Sequence, residues 1–385
     1  MKKYVALLLA LVMMLALVAC GAPAVKESAA PSVAPSEKPA GPGKELREVT
    51  MVLPRTIEVL EDTPYWIANA MGYWEEEGIK VNMEQAFGTT DIKMVATGQA
   101  DFCAPGPNFL LAAIEEGLPV KSIMAYDAIN IWGMCVLKDS KVQTFEDMKG
   151  AVEKYGHKLT VALGDASWEM LVTPTLQAAG IDVAKDLEFV VAGENRYIQV
   201  SEGKLDMLFS WPGEAWQLMG QGFNFNYIDG NDVLTTSSNC TVTSTKLIEE
   251  EPWVVKAFIT GMVKGMYGTH YNPEAAAAVS CNQFPNIDVT WKTALFVQQG
   301  RAYQMFGKPG SDEEKSLLAE IGTHRPDKWD LNIKAALDAG VIKNTIDKEK
   351  IYTNEFVPLD WDRSAVEKDM DAYDVAAAKA RYKAE

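Results

Sequence analysis

The feature that most restricts this chain is an alternation of short apolar runs with amphipathic stretches that begins at Glu48, pauses near residue 128 and then starts again. Glu48–Leu53, Ile79–Met83, Asp101–Ala104 and Val120–Tyr126 read as strands. Between them Pro64–Glu76, Asp91–Thr97 and Asn108–Glu116 read as helices. Ile67, Met71 and Trp74 recur at helical spacing, Pro64 suits a first turn and Gly117 a helix end. The second round runs through Trp132–Leu137, Thr144–Lys149, Lys158–Leu163, Trp168–Ala179, Leu187–Ala192, Tyr197–Glu202, Leu205–Ser210 and Phe223–Ile228. Past Asn239 the chain turns helical, with Trp253–Tyr271, Pro273–Val279, Val289–Phe306, Ile333–Ala339 and a single outer helix over Arg363–Tyr382.

Strands alternating with helices predict an α/β fold built on parallel sheets with helices on both faces. About 340 residues exceed one ordinary core, so two lobes are expected. One lobe takes residues 48–127 and 240–385, the other residues 128–239. The chain passes between them twice, near Ala128–Leu137 and near Asn231–Thr243. Two crossings make a hinge, and hinge closure around a ligand is a standard lobe motion.

The N-terminus sets the compartment. Lys2 and Lys3 precede an apolar stretch from Tyr4 to Ala19, shorter than the roughly 20 residues a membrane span needs. It ends Leu17-Val18-Ala19-Cys20-Gly21, which resembles a bacterial lipobox with Cys20 as the lipidated residue. The plainer alternative is a secretory signal peptide with an incidental cysteine. Residues 1–19 are thus the expected signal peptide. Residues 20–47, rich in Ala, Pro, Ser and Gly up to Lys44, are the expected tether. A doubly acylated cysteine holds a protein on the membrane where one chain does so only marginally.

The formal charge of −17 argues against nucleic-acid binding and against electrostatic docking on anionic lipid. Cys103, Cys135, Cys240 and Cys281 are widely spaced and form no CxxC pair, which leaves disulfides and free buried thiols both open. His157, His270 and His324 fall at no zinc-ligand spacing, so neither a metal nor a cofactor is expected.

Several segments carry a family likeness in order. After the first strand comes Gly72-Tyr73-Trp74-Glu75-Glu76-Glu77-Gly78-Ile79-Lys80-Val81, then Gly88-Thr89-Thr90, then Gly98-Gln99-Ala100-Asp101-Phe102. AIEEGLPVKSI (Ala113–Ile123), TFEDMKG (Thr144–Gly150), SEGKLDMLFSWPGEAW (Ser201–Trp216) and YNPEAAAA (Tyr271–Ala278) follow. The set resembles the periplasmic binding proteins for nitrate, sulfonates, taurine and thiamine-pyrimidine precursors. The resemblance implies a type II periplasmic-binding-protein fold, with mixed sheets in two lobes and a two-stranded hinge. It further implies a monomeric, extracytoplasmic binder that delivers a small molecule to an ABC permease and ATPase, touching the membrane through its anchor alone. The loop from Leu53 to Pro64 is longer than the family's, and Phe284–Phe356 matches none of its patterns.

In such folds ligands sit where strands end and loops lead into helices. That selects Gly88, Thr89 and Thr90, whose N–H and hydroxyl groups could hold an anion or carbonyl or simply cap a helix. Asp165 and Ser167 have the same two readings in the second lobe. Trp66, Trp132, Trp168, Trp211 and Trp216 lie near strand ends or helix starts, where a tryptophan sandwiches a flat ligand or packs in the core. Arg55, with Thr56 beside it, and Arg196 are the candidate anion contacts, or else pair with Glu58 or Glu194. Glu214 faces an N–H-rich ligand or sits solvated in a first helical turn, and Asn108 and Asn130 are neutral candidates. The balance favours a planar, N-heterocyclic solute over an aliphatic sulfonate, taurine or nitrate. A different class, the pyrimidine-precursor synthases of the same fold, needs a pyridoxal cofactor and a histidine, for which no catalytic arrangement is readable.

Overall fold

The structure, a computed structural model, describes residues 45–54, 60–86 and 89–382. The signal segment, the lipidation candidate Cys20, most of the tether, and the ligand candidates Arg55, Thr56 and Gly88 lie outside the described residues.

Among the described residues, ten strands build two five-stranded sheets. The first holds β1 (Arg47–Leu53), β2 (Ile79–Gln85), β3 (Phe102–Cys103), β4 (Val120–Ala125) and, from far along the chain, β10 (Cys240–Ser244). The second holds β5 (Gly133–Leu137), β6 (Leu159–Leu163), β7 (Leu187–Val191), β8 (Met207–Ser210) and β9 (Phe225–Ile228). Their orders match: β2-β1-β3-β10-β4 and β7-β6-β8-β5-β9. β1 is parallel to β2 and β3, and β6 to β7 and β8. β10 runs antiparallel to β3 and β4, and β5 to β8 and β9.

The sheets are thus mixed, as the family resemblance implies, and the reason is topological. β5 and β10 are the first strands after the two crossings. A strand that follows a helix runs toward the cleft, whereas a strand arriving from the cleft must run away from it. β8 is buried along its whole length, and β4, β5 and β10 nearly so. This is why these strands read as near-continuous apolar runs.

The crossings lie side by side. The amides of Tyr126 and Asp127 donate to the Asn239 carbonyl at 3.0 and 2.9 Å, and the Ser238 amide donates to the Asp127 carbonyl at 2.9 Å.

Some expected elements change. The Pro64–Glu76 helix breaks at Met71–Gly72 into Thr63–Ala70 and Tyr73–Glu76. The Arg363–Tyr382 helix is two, Arg363–Asp371 and Val375–Lys379, because the Asp374 carboxylate caps a fresh start by accepting from the Ala377 amide. The strand at Asp101–Ala104 shortens, since the Asp101 carboxylate is drawn to the Arg47 guanidinium and the Thr50 amide. The Ile333–Ala339 helix begins at Pro326, and Asp312–Ala319, capped by Ser311, is an additional helix. Cys103, Cys135, Cys240 and Cys281 are buried free thiols.

The segment that matched no family pattern supplies the helix Trp291–Phe306, which spans both halves. On one side it lies along Pro212–Gly220, with Trp216 against Phe296 (6.4 Å) and Tyr303 (5.8 Å). On the other, Gln298 Nε2 donates to the Leu60 carbonyl at 2.7 Å and Arg301 pairs with Asp127.

Candidate functional site

The carboxyl ends of the two sheets face each other across a cleft, and the second half supplies its aromatic wall. β6 ends at Leu163, and a turn follows in which Asp165 Oδ1 accepts from the Ser167 amide (2.9 Å) and hydroxyl (2.5 Å). That cap starts a short 3-10 turn, Ala166–Trp168, and thereby aims Trp168. β8 ends at Ser210, Trp211 stays extended, and Pro212 opens the next helix without needing an N–H partner. Trp132 follows the first crossing. Its amide donates to Asn130 Oδ1 at 3.1 Å, and Asn130 Nδ2 donates to Thr175 Oγ1 at 3.1 Å. The rings then meet one another: Trp132 with Phe209 at 5.7 Å, Trp168 with Phe209 at 5.9 Å, and Trp168 edge-on to Trp211 at 5.7 Å. Such tilted and edge-on pairs are the arrangements ring quadrupoles favour.

The cleft is lined by Pro54, Glu61, Gly106 and Phe109 from the first half, by Ile131, Trp132, Trp168, Leu171, Phe209 and Trp211 from the second, and by Asn239 at the crossing. The space left between these largely apolar walls is a small slot, with a cavity volume of about 40 Å³. At the cleft, hydrogen bonds cross between the halves from Trp211 Nε1 to Glu61 Oε2 at 2.7 Å and from Asn108 Nδ2 to the Met170 carbonyl at 2.6 Å; farther off, Tyr303 donates to Asp229 and Asn332 Nδ2 to Ser237 Oγ at 2.9 Å. Glycines allow this approach. A Cβ on Gly106 would fall 2.7 Å from Leu171 Cδ2, and one on Gly213 2.6 Å from the Glu61 carboxyl carbon.

A buried charge pair stands behind each wall. Arg196 lies over Trp168 (4.9 Å to the ring centre) and Trp211 (5.9 Å) and pairs with Glu214, which also accepts from Ser210 Oγ at 2.8 Å. Burial pushes the Glu214 carboxyl up and the Arg196 guanidinium opposes the shift. On the other side Arg301 lies over Tyr126 (4.2 Å) and pairs with Asp127 and Gln304. Burial likewise raises Asp127, against the pull of Arg301. Gln304 Nε2 donates to Glu61 Oε1 at 3.1 Å, and Arg301 stands 3.7 Å from the same oxygen.

Of the sequence candidates, Trp132, Trp168 and Trp211 line the cleft. Arg196 and Glu214 do not: they neutralise each other behind the tryptophans, so Glu214 is buried rather than solvated, and Glu194 is a more distant partner at 3.8 Å. Trp66 packs on Phe284 inside the first half (5.1 Å), and Trp216 packs on the Trp291–Phe306 helix. Asp165 and Ser167 hydrogen-bond each other, Asn130 braces the crossing, and Asn108 ties one half to the other. Thr89 and Thr90 start a helix, Thr89 making no side-chain cap, and neither lines the slot. Sequence reasoning missed Glu61, Asn239, Asp127, Arg301 and Gln304. Among the described residues no group of His, Cys, Asp and Glu is placed to hold a metal ion.

A family profile described as NMT1/THI5 like matches residues 60–276. The riboflavin-binding protein RibY of Chloroflexus aurantiacus is 28% identical over 367 residues, 93% of this chain and 99% of that protein. A 4-amino-5-hydroxymethyl-2-methylpyrimidine phosphate synthase of Legionella pneumophila is 23% identical over 303 residues, 77% of this chain and 88% of the enzyme. Among solved structures, the periplasmic sulfonate-binding protein SsuA of a putative sulfonate ABC transporter from Methylobacillus flagellatus superposes with a TM-score of 0.56. Its identity is 15%, covering 85% of this chain and 96% of that one. The fold is thus that of the periplasmic binding proteins.

Proposed function

The chain belongs to the NMT1/THI5-like family, and from that premise we propose that it is an extracytoplasmic solute-binding lipoprotein, anchored through Cys20, that serves an ABC permease and ATPase. Its lobes, residues 48–127 with 240–385 and residues 128–239, close on a flat N-heterocycle of the flavin or pyrimidine kind and release it unchanged.

The observation that carries this reading is the slot walled by Trp132, Trp168, Phe209 and Trp211, with Phe109 opposite. Once the lobes part to admit a ligand, such aromatic walls suit one flat ring system. Apolar faces supply the burial and a few polar groups at the edge, here Glu61 and Asn239, supply orientation. The riboflavin named in the RibY relative has a ring system of that shape. The described lining is chiefly aromatic and apolar, which favours a ring over an aliphatic sulfonate. A synthase reading needs a histidine at the site, whereas among the described residues His324 is enclosed in the first half, His157 is exposed and His270 packs on Phe306.

Thermal-shift titration with riboflavin, lumichrome and 4-aminopyrimidines, set against taurine and alkanesulfonates, tests the reading. Saturation at one hundred times the dissociation constant stabilises by about 2.7 kcal/mol. Stabilisation by sulfonates alone, or a chemically altered solute in the mass spectrum of the released ligand, contradicts it.

A further inference from the structure

We infer that Asn239 decides which edge of a flat solute lies at the hinge: its amide oxygen, held toward the cleft as an acceptor, selects rings that present an N–H donor there over rings that present an acceptor or an apolar group. The inference deepens the binding reading above and rests on it.

Asn239 ends the second crossing, immediately before β10, and lines the slot. Its main chain is tied to the first crossing, with the carbonyl accepting from the Tyr126 and Asp127 amides at 3.0 and 2.9 Å. The next amide, that of Cys240, donates to the Pro105 carbonyl at 3.1 Å. These bonds join crossing to crossing rather than wall to wall, so the side chain is held however far the walls stand apart. Charge then sets which end of the amide faces the slot. Nδ2 donates to Asp127 Oδ2 at 2.9 Å, while Asp127 Oδ1 takes the Arg301 guanidinium. An ionised carboxylate only accepts, so a turned amide would set oxygen against oxygen around a fully buried Asp127.

The oxygen is left for the ligand. No described residue donates to Asn239 Oδ1. It lies beside Gly106, where a Cβ would fall 3.8 Å from Oδ1 and 3.6 Å from Trp132 Cζ2, so the missing side chain keeps both the acceptor and the indole edge within reach of one ring. Glu61, by contrast, is engaged by Trp211, Gln304 and Arg301. When the lobes close on a ring, water leaves Oδ1. A donor edge replaces the lost hydrogen bond, whereas an apolar or acceptor edge leaves a buried carbonyl unsatisfied, which is the costly case.

The test uses three ligands in calorimetric titration: riboflavin, and the isosteric pair 2-naphthamide and 2-acetonaphthone, which differ by an NH2 against a methyl and hardly in shape. The unaltered protein is expected to prefer the amide by roughly tenfold, and Asn239→Leu to bring the pair to near parity. Equal affinity for amide and ketone in the unaltered protein overturns the inference and leaves the proposed function standing. So does an amide preference that Asn239→Leu leaves unchanged. Failure of all three ligands overturns both. Should Asn239→Leu not fold, or should riboflavin alone bind, a crystal structure of the unaltered protein with riboflavin decides. The ring imide N–H within hydrogen-bond distance of Asn239 Oδ1 supports the inference, and a ring carbonyl or methyl at that place overturns it.

Discussion

The two buried arginines are made to one recipe and do different work. Arg196 and Arg301 each lie over an aromatic face, each pairs with a buried carboxylate, and each carboxylate takes one further side-chain donor, Ser210 for Glu214 and Asn239 for Asp127. The difference is reach. Arg196 and Glu214 stand 18 residues apart within one half, whereas Arg301 and Asp127 stand 174 apart and join the spanning helix to the first crossing. A local pair stiffens the wall that faces the ligand. A distant pair decides whether separately built pieces stay assembled. One class of interaction therefore tunes binding in one place and assembly in the other.

Removing the arginines gives the largest effect and the sharpest break. Arg301→Met strands Asp127 in the interior and should lower stability by about 3–5 kcal/mol in urea unfolding. Arg196→Met should fall at the low end of that range, about 3 kcal/mol, because Arg301 serves Glu61 at 3.7 Å as well as Asp127, and it should also weaken riboflavin binding through loosened tryptophans. Equal losses of stability with equal losses of affinity would break the comparison.

Next come the walls. Trp168→Ala should weaken riboflavin by roughly ten- to a hundredfold, and Phe109→Ala in the facing half by roughly three- to tenfold, both read by calorimetry. A smaller effect belongs to the approach of the halves: Gly213→Ala pushes a methyl into the Glu61 carboxyl. It should cost about 1–3 kcal/mol of the closed form, seen as weaker binding more than as a lower unfolding midpoint.

The smallest and most diagnostic effect is on pH dependence, and it resides in the first half. His324 is enclosed, its Nδ1 accepting from Trp329 Nε1 at 3.1 Å and its Nε2 lying 2.8 Å from Ser122 Oγ. Trp offers only a donor, so Nε2 carries the proton. Burial lowers this imidazole from the ordinary 6.5 to about 3. Its contribution is complete above pH 6.5 and drains away as pH falls toward 3, by about 1.4 kcal/mol per pH unit. Asp91 behaves oppositely. Neither of its oxygens has a hydrogen-bond partner among the described residues, and burial raises it from 3.8 to about 7. Its contribution is complete below 3.8 and is lost as pH rises to 7. Urea midpoints at pH 8, 6 and 4.5 should show His324→Gln losing less on acidification than the unaltered protein. Asp91→Asn should stabilise at pH 8, by roughly 1–4 kcal/mol, and not at pH 4.5.

Periodicity carried most of the fold, because alternation is a local signal: β1, β2, β4 and β6 lie within a residue or two of where the pattern places them. Strand direction was not local. β5 and β10 are antiparallel because of where the chain has just been, which residue spacing does not record. The cleft divides in the same way. Trp132, Trp168 and Trp211 were legible as tryptophans at strand ends, and all three line the slot. Glu61 was not, because its partners lie 150 and 243 positions away. Arg196 read as a candidate anion contact, or else as a partner of Glu194, and neither reading found Glu214, which is farther along the chain but nearer in space. Arg301 sits on a helix from the stretch with no family pattern, so no motif pointed to it.

The central claim is that a flat ring enters between Trp168, Trp211 and Phe109 and is held there intact. Titrating riboflavin while following its own fluorescence addresses that claim directly, because an isoalloxazine stacked on indole is quenched. The account predicts saturable one-to-one quenching that Trp168→Ala weakens and that exchange with lumichrome reverses. Undiminished riboflavin fluorescence at saturating protein, with an alkanesulfonate filling the site in parallel calorimetry, would contradict it.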